Sequence, residues 1–350
     1  MTPTRPRQFA SDNCSGACKE ALTALQRANA GHVTSYGEDA WTKAACDAIR
    51  EFCGLPCEVF FVFNGTAANS LALASLCQSY HSVICHESAH VETDECGAPE
   101  FFSNGTKLLL AAGDHGKISP PEINRLAHRR ADIHYPKPRV VSITQPTEVG
   151  TVYSPAELDA IREAAQSCGL ALHMDGARFF QAVDSLRCHP GDLIRASGAD
   201  VVCLGGTKLG MIAGEAVVFF NPSCAEEFAF RCKQAGQLAS KMRFLSAQWV
   251  GLMQDGAWRR HASHANSMAA LLRRELSHIE GLGFPFPTDS NAVFVKAPPE
   301  SLASLRNAGW KFYEFIGGAA RFMCSWDTTT DDINALSADF ATALRRHPPK

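Results

Sequence analysis

The feature that most constrains this chain is a series of short, almost wholly apolar segments. They occupy residues 59–63 (VFFVF), 83–85, 107–111, 139–144, 170–174, 200–204 and 216–220. A strand with one solvated face alternates apolar and polar residues, whereas a strand covered on both faces reads apolar throughout. Between the segments lie helical patterns at 67–77, 121–128 and 156–167, the last behind the helix-start pair Ser154-Pro155. Such alternation across 59–220 predicts a doubly wound α/β domain around a mostly parallel central sheet.

Beyond residue 222 the pattern changes. Residues 223–280 read as long helices, and GLGFPFP (281–287) is a Gly/Pro-rich break. Strand-like segments at 292–296, 310–316 and 321–325, with helical ones at 300–307 and 331–345, suggest a small α+β unit. The expected division is an N-terminal segment plus large domain over 1–250 and a small C-terminal domain over 251–350.

Composition narrows the function classes. With 350 residues, 46% hydrophobic and 20% charged, the chain can bury a large core and is not a disordered polymer. A net charge of -3 gives no electrostatic case for nucleic acid or an acidic membrane. The 14 cysteines contain no C-x-x-C pair. The i, i+4 pairs Cys14/Cys18 and Cys53/Cys57 lack a second cluster that would complete a zinc set, so no metal site is expected. Several, such as Cys203 in VVCLGG, sit in apolar runs as small hydrophobes. The start MTPTRPRQFASDN lacks a signal-peptide apolar core, and no apolar run nears the roughly 20 residues of a membrane helix. A soluble cytoplasmic protein with reduced thiols is expected.

Three features follow apolar segments, where ligands collect in open α/β sheets. In FNGTAAN (63–69) a strand runs into a helix through Asn-Gly-Thr, so that Gly65 and Thr66 can cradle a phosphate; a plain capped turn is the alternative. In HMDGAR (173–178) Asp175 can reach into the crevice or merely cap the next helix. In CLGGTK (203–208) Lys208 sits in a Gly/Thr turn, where it can carry a Schiff base or be a solvated loop lysine. Taken together, an anion cradle, an Asp and then a Lys are the parts that pyridoxal 5'-phosphate requires: a phosphate anchor, a carboxylate at the pyridinium nitrogen and a lysine amine.

The chain resembles the low-specificity L-threonine aldolases, fold type I pyridoxal phosphate enzymes of the β-eliminating lyase group. The resemblance covers nearly the whole chain and rests on FASDN (9–13), TSYGED (34–39), FNGTAAN (63–69), SAHVETDECGAPEFF (88–102), HMDGARFFQAV (173–183), LGGTKLG (204–210), GEAVVFF (214–220), GQLASKMRFLSAQ (236–248) and GGAARFMCSWDT (317–328).

It implies Lys208 as the Schiff-base lysine, Asp175 at the ring nitrogen and His90 stacked on the ring, with His86 as the natural confusion. Gly65, Thr66 and Thr207 would cradle the phosphate, with Lys241 or Arg243 reaching it from a neighbouring subunit. Ser11, Arg178 and Arg321 match the binders of the substrate α-carboxylate, Arg178 also bordering the cofactor, and a guanidinium suits that bidentate task. His134 matches a histidine near the substrate hydroxyl and is a candidate base; Tyr36 would border the site. Other branches carry Thr-His-Asn-Gly where this chain has Gln145-Pro146-Thr147-Glu148-Val149-Gly150, which leaves open whether Glu148 substitutes.

The implied reaction is retro-aldol cleavage of L-threonine or L-allo-threonine to glycine and an aldehyde, in a homotetramer with sites at subunit interfaces. Another pyridoxal phosphate lyase reaction, such as phenylserine cleavage or β-elimination, is the near alternative. A non-catalytic cofactor-binding member is the distant one.

Overall fold

The computed structural model describes residues 7–347. Seven strands build the larger sheet: β1 (Glu58–Val62), β2 (His81–His86), β3 (Lys107–Ala111), β4 (Lys137–Thr144), β5 (Ala171–Gly176), β6 (Val201–Leu204) and β7 (Glu215–Phe219). Their spatial order is β1-β7-β6-β5-β4-β2-β3, parallel from β6 to β3, with β7 antiparallel to both neighbours. Every strand expected in this sheet is present, with ends within two residues of the sequence reading. The apolar runs are explained by cover: β2, β6 and β7 are buried along their whole length, and separate apolar clusters pack on the two faces.

The helix Gly65–Leu76 shows why its segment lacks an amphipathic stripe: nearly all its residues are buried. Helix Pro155–Ser167 begins with a full capping box, Ser154 and Glu157 each bonding the other's backbone N–H, as the Ser-Pro signal indicated. The sequence reading did not place helices Lys19–Ala28, Ala40–Cys53, Phe179–Leu186 or Pro190–Ser197.

After the 21-residue helix Ala257–Ser277, a second sheet forms from β8 (Ala292–Val295), β9 (Tyr313–Phe315) and β10 (Ala319–Met323), antiparallel in the order β8-β10-β9. Segment 310–316 shortens to the three residues of β9. Phe9 belongs to the core beneath this sheet, between Trp310 and Phe322, although it lies near the start of the chain. Burying that ring stabilises the fold by roughly 1.5–3 kcal/mol. Backbone bonds from Met323 N to Phe9 O (2.8 Å) and from Phe9 N to Lys311 O (2.9 Å) fix the segment. Among the described residues no helix is long and apolar enough to cross a membrane. All fourteen cysteines are free thiols, and most are buried.

Candidate active site

A cleft of about 460 Å³ opens at the C-terminal ends of β4, β5 and β6. Register places Thr144 beside Asp175 and Gly176 beside Leu204, so the residues that follow these strands converge. The cleft is lined by Ser11, Gly65, His90, Asp175, Arg178, Lys208 and Arg321 of the expected set, and by Asn69, Thr144 and Glu148 besides.

Lys208 lies in the tight turn Thr207–Leu209 after β6. Beneath the turn sits Glu215, the first residue of β7, whose carboxylate accepts Gly206 N at 2.6 Å and the Thr207 hydroxyl. Thr207 is therefore tied to a buried carboxylate. Burial, then the nearby Arg178 guanidinium, hold the Lys208 amine below the usual lysine range, against the pull of Asp12, Asp175 and Glu215. A lowered value leaves more neutral amine, the form able to attack a carbonyl.

Asp175 ends β5. Burial acts to raise its pKa, yet Lys208, His90 and hydrogen bonds from Ala177 N and Asn69 outweigh it, and the carboxylate stays ionised below its usual range. The Asn69 amide donates to Asp175 Oδ2 and to Glu95 Oε1, both at 2.9 Å. Glu95 Oε1 also meets His90 Nδ1 at 2.8 Å, and this bond, the largest influence, raises the His90 pKa. One hydrogen-bonded chain thus runs His90–Glu95–Asn69–Asp175, fixing the half-buried His90 ring relative to the aspartate.

The arginines differ in availability. Arg178 grips Asp12 with both Nε (2.7 Å) and Nη2 (2.8 Å), and Asn291 Nδ2 donates to the same carboxylate at 3.0 Å. One guanidinium edge of Arg178 is thus held by Asp12 through Nε and Nη2, while the residue also lines the cleft. Arg321, on β10, donates from Nη2 to Ala10 O at 3.2 Å, while its buried Nε has no partner. Its guanidinium lies 4.9 Å from the centre of the Phe315 ring. Burial, then Arg178, push its pKa down to about 10. Two partly buried guanidinium groups, one with a buried and unpartnered Nε, have the chemistry to receive a carboxylate.

Glu148 accepts from His90 N (3.0 Å) and the Thr144 hydroxyl (2.7 Å) through Oε1, while Oε2 is buried without a partner. Burial pushes its pKa from 4.5 up to about 7. Folding therefore favours the protonated acid. Its contribution to stability is full below pH 4.5 and is lost as pH rises through about 7. Glu148→Gln removes this titration, so its thermal midpoint relative to the native protein is expected to improve between pH 5 and pH 8, by the equivalent of about 2 kcal/mol. An offset identical at both pH values would contradict the assignment.

Six expected site residues do not line this cleft within one chain: Thr66 and Thr207 adjoin its lining residues Gly65 and Lys208, and four others stand apart. His134 precedes β4, at the opposite end of a strand that spans eight residues, roughly 23 Å at 3.3 Å per residue. Tyr36 is 47% exposed, has a left-handed backbone (φ 61°), and its ring lies 4.7 Å from the Lys233 amine. It is held to the Lys241 neighbourhood by a bond from its N–H to Ser240 O at 3.0 Å. Lys241 is exposed, and Arg243 reaches back to Gly31 O at 3.3 Å. The sequence reading passed over Asp12, Asn69, Glu95, Glu215 and Asn291. Asp12 stood inside the FASDN signature, Asn69 at the end of FNGTAAN, Glu95 inside SAHVETDECGAPEFF and Glu215 inside GEAVVFF; only Asn291 lay outside every quoted stretch.

The residues present fit pyridoxal phosphate. Asn64 caps Ala67 N at 2.9 Å, and the first intrahelical bond is Ala68 N to Asn64 O, so the Gly65 and Thr66 N–H groups stand ahead of it, where a helix receives an anion. A Cβ built on Gly65 meets nothing within 4 Å, which marks free space at that terminus. An ionised Asp175 and a weakened Lys208 amine supply the other two requirements.

Comparison with known proteins agrees. The family model described as beta-eliminating lyase matches residues 8–298. The chain is 60% identical to a low specificity L-threonine aldolase of Pseudomonas sp. (strain NCIMB 10558), covering 97% of this chain and 98% of that one. It is 59% identical to the protein of the same name from Pseudomonas aeruginosa, with the same coverage of 97% and 98%. The solved threonine aldolase of Leishmania major superposes with a TM-score of 0.89 at 29% identity, covering 97% of this chain and 99% of that one. With this fold, this site and these relatives, the chain belongs to the beta-eliminating lyase family, in its low-specificity L-threonine aldolase branch.

Proposed function

We propose that the cleft uses pyridoxal phosphate to cleave L-threonine and L-allo-threonine to glycine and acetaldehyde. The observation that carries this reading is the buried, under-partnered Arg321 beside Arg178 in the cleft that also holds Lys208 and Asp175. When bound, the cofactor supplies an electron sink for the pair released from the Cα–Cβ bond.

The chain's own residues do the rest. Lys208 would hold the cofactor through its amine. Asp175 would hold a proton at the ring nitrogen. His90, anchored through Glu95, would help to position the ring. Arg321 and Arg178, with Ser11, would hold the α-carboxylate and so orient the bonds at Cα. Low selectivity at Cβ follows if the hydroxyl proton leaves through a histidine or a water that serves either configuration.

A cytoplasmic homotetramer is part of the proposal, with a working division into 1–250 and 251–350. In it Tyr36, Lys241 or Arg243, and His134 serve a neighbouring copy's cleft. The support is that each lies outside its own cleft, and that Ile133 beside His134 is 97% exposed.

Glycine and aldehyde release, assayed with threonine, allo-threonine, phenylserine and serine, tests the reading; release of pyruvate from serine without aldehyde from threonine would replace it with β-elimination. Arg321→Lys, which keeps the charge and loses the fork, is expected to raise KM for threonine roughly 10- to 100-fold with a smaller change in kcat. An unchanged KM would remove Arg321 from the carboxylate site.

A further inference from the structure

We propose that Cys18, Glu20 and His261 bind one thiophilic divalent cation of the Zn²⁺ class behind the turn that presents Lys208. Their ligand atoms all lie within 4.8 Å of one another, and His261 Nε2 is 3.6 Å from Glu20 Oε2. Metal–ligand bonds of about 2.0–2.3 Å in a tetrahedral site place ligand atoms roughly 3.3–3.8 Å apart, so the cluster closes on a cation with small side-chain adjustments.

The strongest argument is the histidine ring. His261 Nδ1 lies 3.0 Å from Leu209 O, and a carbonyl can only accept, so Nδ1 carries the hydrogen. The Nε2 lone pair then faces a carboxylate oxygen, acceptor against acceptor, unless a cation stands between. A ring nitrogen tied to a backbone carbonyl while the other points at a thiol and a carboxylate is the arrangement that orients metal-ligating histidines.

The other two ligands are similarly prepared. Cys18 is fully buried and caps helix Lys19–Ala28, its sulfur accepting Ala21 N at 3.4 Å. Arg260 occupies Glu20 Oε1 at 3.0 Å and leaves Oε2 for the site. The Glu20 side chain is 31% exposed, which provides an entry route and room for a water as fourth ligand. On binding, the Cys18 S–H bond breaks, its proton leaves to solvent and a sulfur–metal bond forms. The set was invisible to spacing rules because His261 comes from a helix remote in sequence.

The site is coupled to the turn at two points. Cys18 N donates to Gly210 O at 2.7 Å, and His261 donates to Leu209 O, the two residues that follow Lys208. Gly210 has φ +111°, and a Cβ there would lie 3.0 Å from Cys18 Cβ, so turn and cluster are in contact. A bound cation would brace the turn from behind without touching the cleft.

The test titrates chelator-washed holoprotein with Co²⁺ and then Zn²⁺. The expected result is one Co²⁺ per chain, with tetrahedral visible bands and a thiolate-to-cobalt charge-transfer band that Zn²⁺ bleaches, and a higher thermal midpoint with Zn²⁺. Cys18→Ser should abolish the charge-transfer band. Glu20→Gln, a change at a partly exposed position that leaves folding intact, should weaken binding by roughly tenfold or more. Absence of the bands overturns the proposal. So does a band that survives in Cys18→Ser, since it would belong to other thiols, or a Co²⁺ affinity unchanged in Glu20→Gln.

Discussion

Lys208→Ala is expected to abolish threonine cleavage, with kcat falling ~10⁴-fold or more, and to eliminate the visible absorbance of covalently held pyridoxal phosphate. The change should leave the fold intact. The turn is held by Glu215 through Gly206 and Thr207, not by the lysine side chain. Removing the amine also removes a buried cation, so Asp175 and Asp12 lose a charge that favours their ionised forms. An alanine variant that keeps native absorbance, or turns over within tenfold of the native rate, would show that Lys208 does not hold the cofactor.

The second large effect is expected at Asp175. Asp175→Asn keeps the volume and still accepts Ala177 N, but cannot stabilise a proton on the ring nitrogen. Because that charge matters most as electrons enter the ring, kcat should fall about 10³-fold while KM changes little. The variant should also turn its amide against the Asn69 amide, donor facing donor, and so loosen the chain through Glu95 to His90. A readout of that loosening is the pH profile: the His90 pKa, raised mainly by Glu95, should move in Asp175→Asn because the aspartate charge also contributes. A drop in kcat of less than tenfold would mean that the ring nitrogen has another partner.

The strands were legible because full burial removes polar residues from both faces at once, as in 201–204 and 215–219. The strand-end residues Asp175 and Lys208 were legible for a related reason: a charged side chain directly after such a run has the crevice as its nearest polar volume. Glu215 was not, since a glutamate that starts a buried strand reads as the strand's solvated end. Only the fold shows that its carboxylate is needed under the Gly206–Thr207 turn. Asp12 was hidden because its partner Arg178 lies 166 residues away, and no local pattern encodes that distance. His134, Tyr36, Lys241 and Arg243 were named from resemblance alone, and a single chain leaves the first three exposed and Arg243 half-buried against Gly31. The helices around 19–28 and 40–53 were passed over although both are strongly amphipathic and Asp39 caps the second by accepting from Trp41 and Thr42 N–H at 2.9 Å.

The binding of Phe9 into the last sheet has a consequence for synthesis. Ala10 receives Arg321 and Phe9 pairs with Met323, so this segment finds those partners only after β10 has been made, whereas Asp12 meets Arg178 at a separation of 166 residues. Contacts of such sequence separation close late and at a high cost in chain entropy. Until β10 leaves the ribosome, the large sheet can assemble while its N-terminal strap hangs free and the carboxylate receptor lacks one arginine. On the proposed role of Arg321, a chain terminated ahead of β10 would carry Lys208 without the arginine that aims the substrate at it.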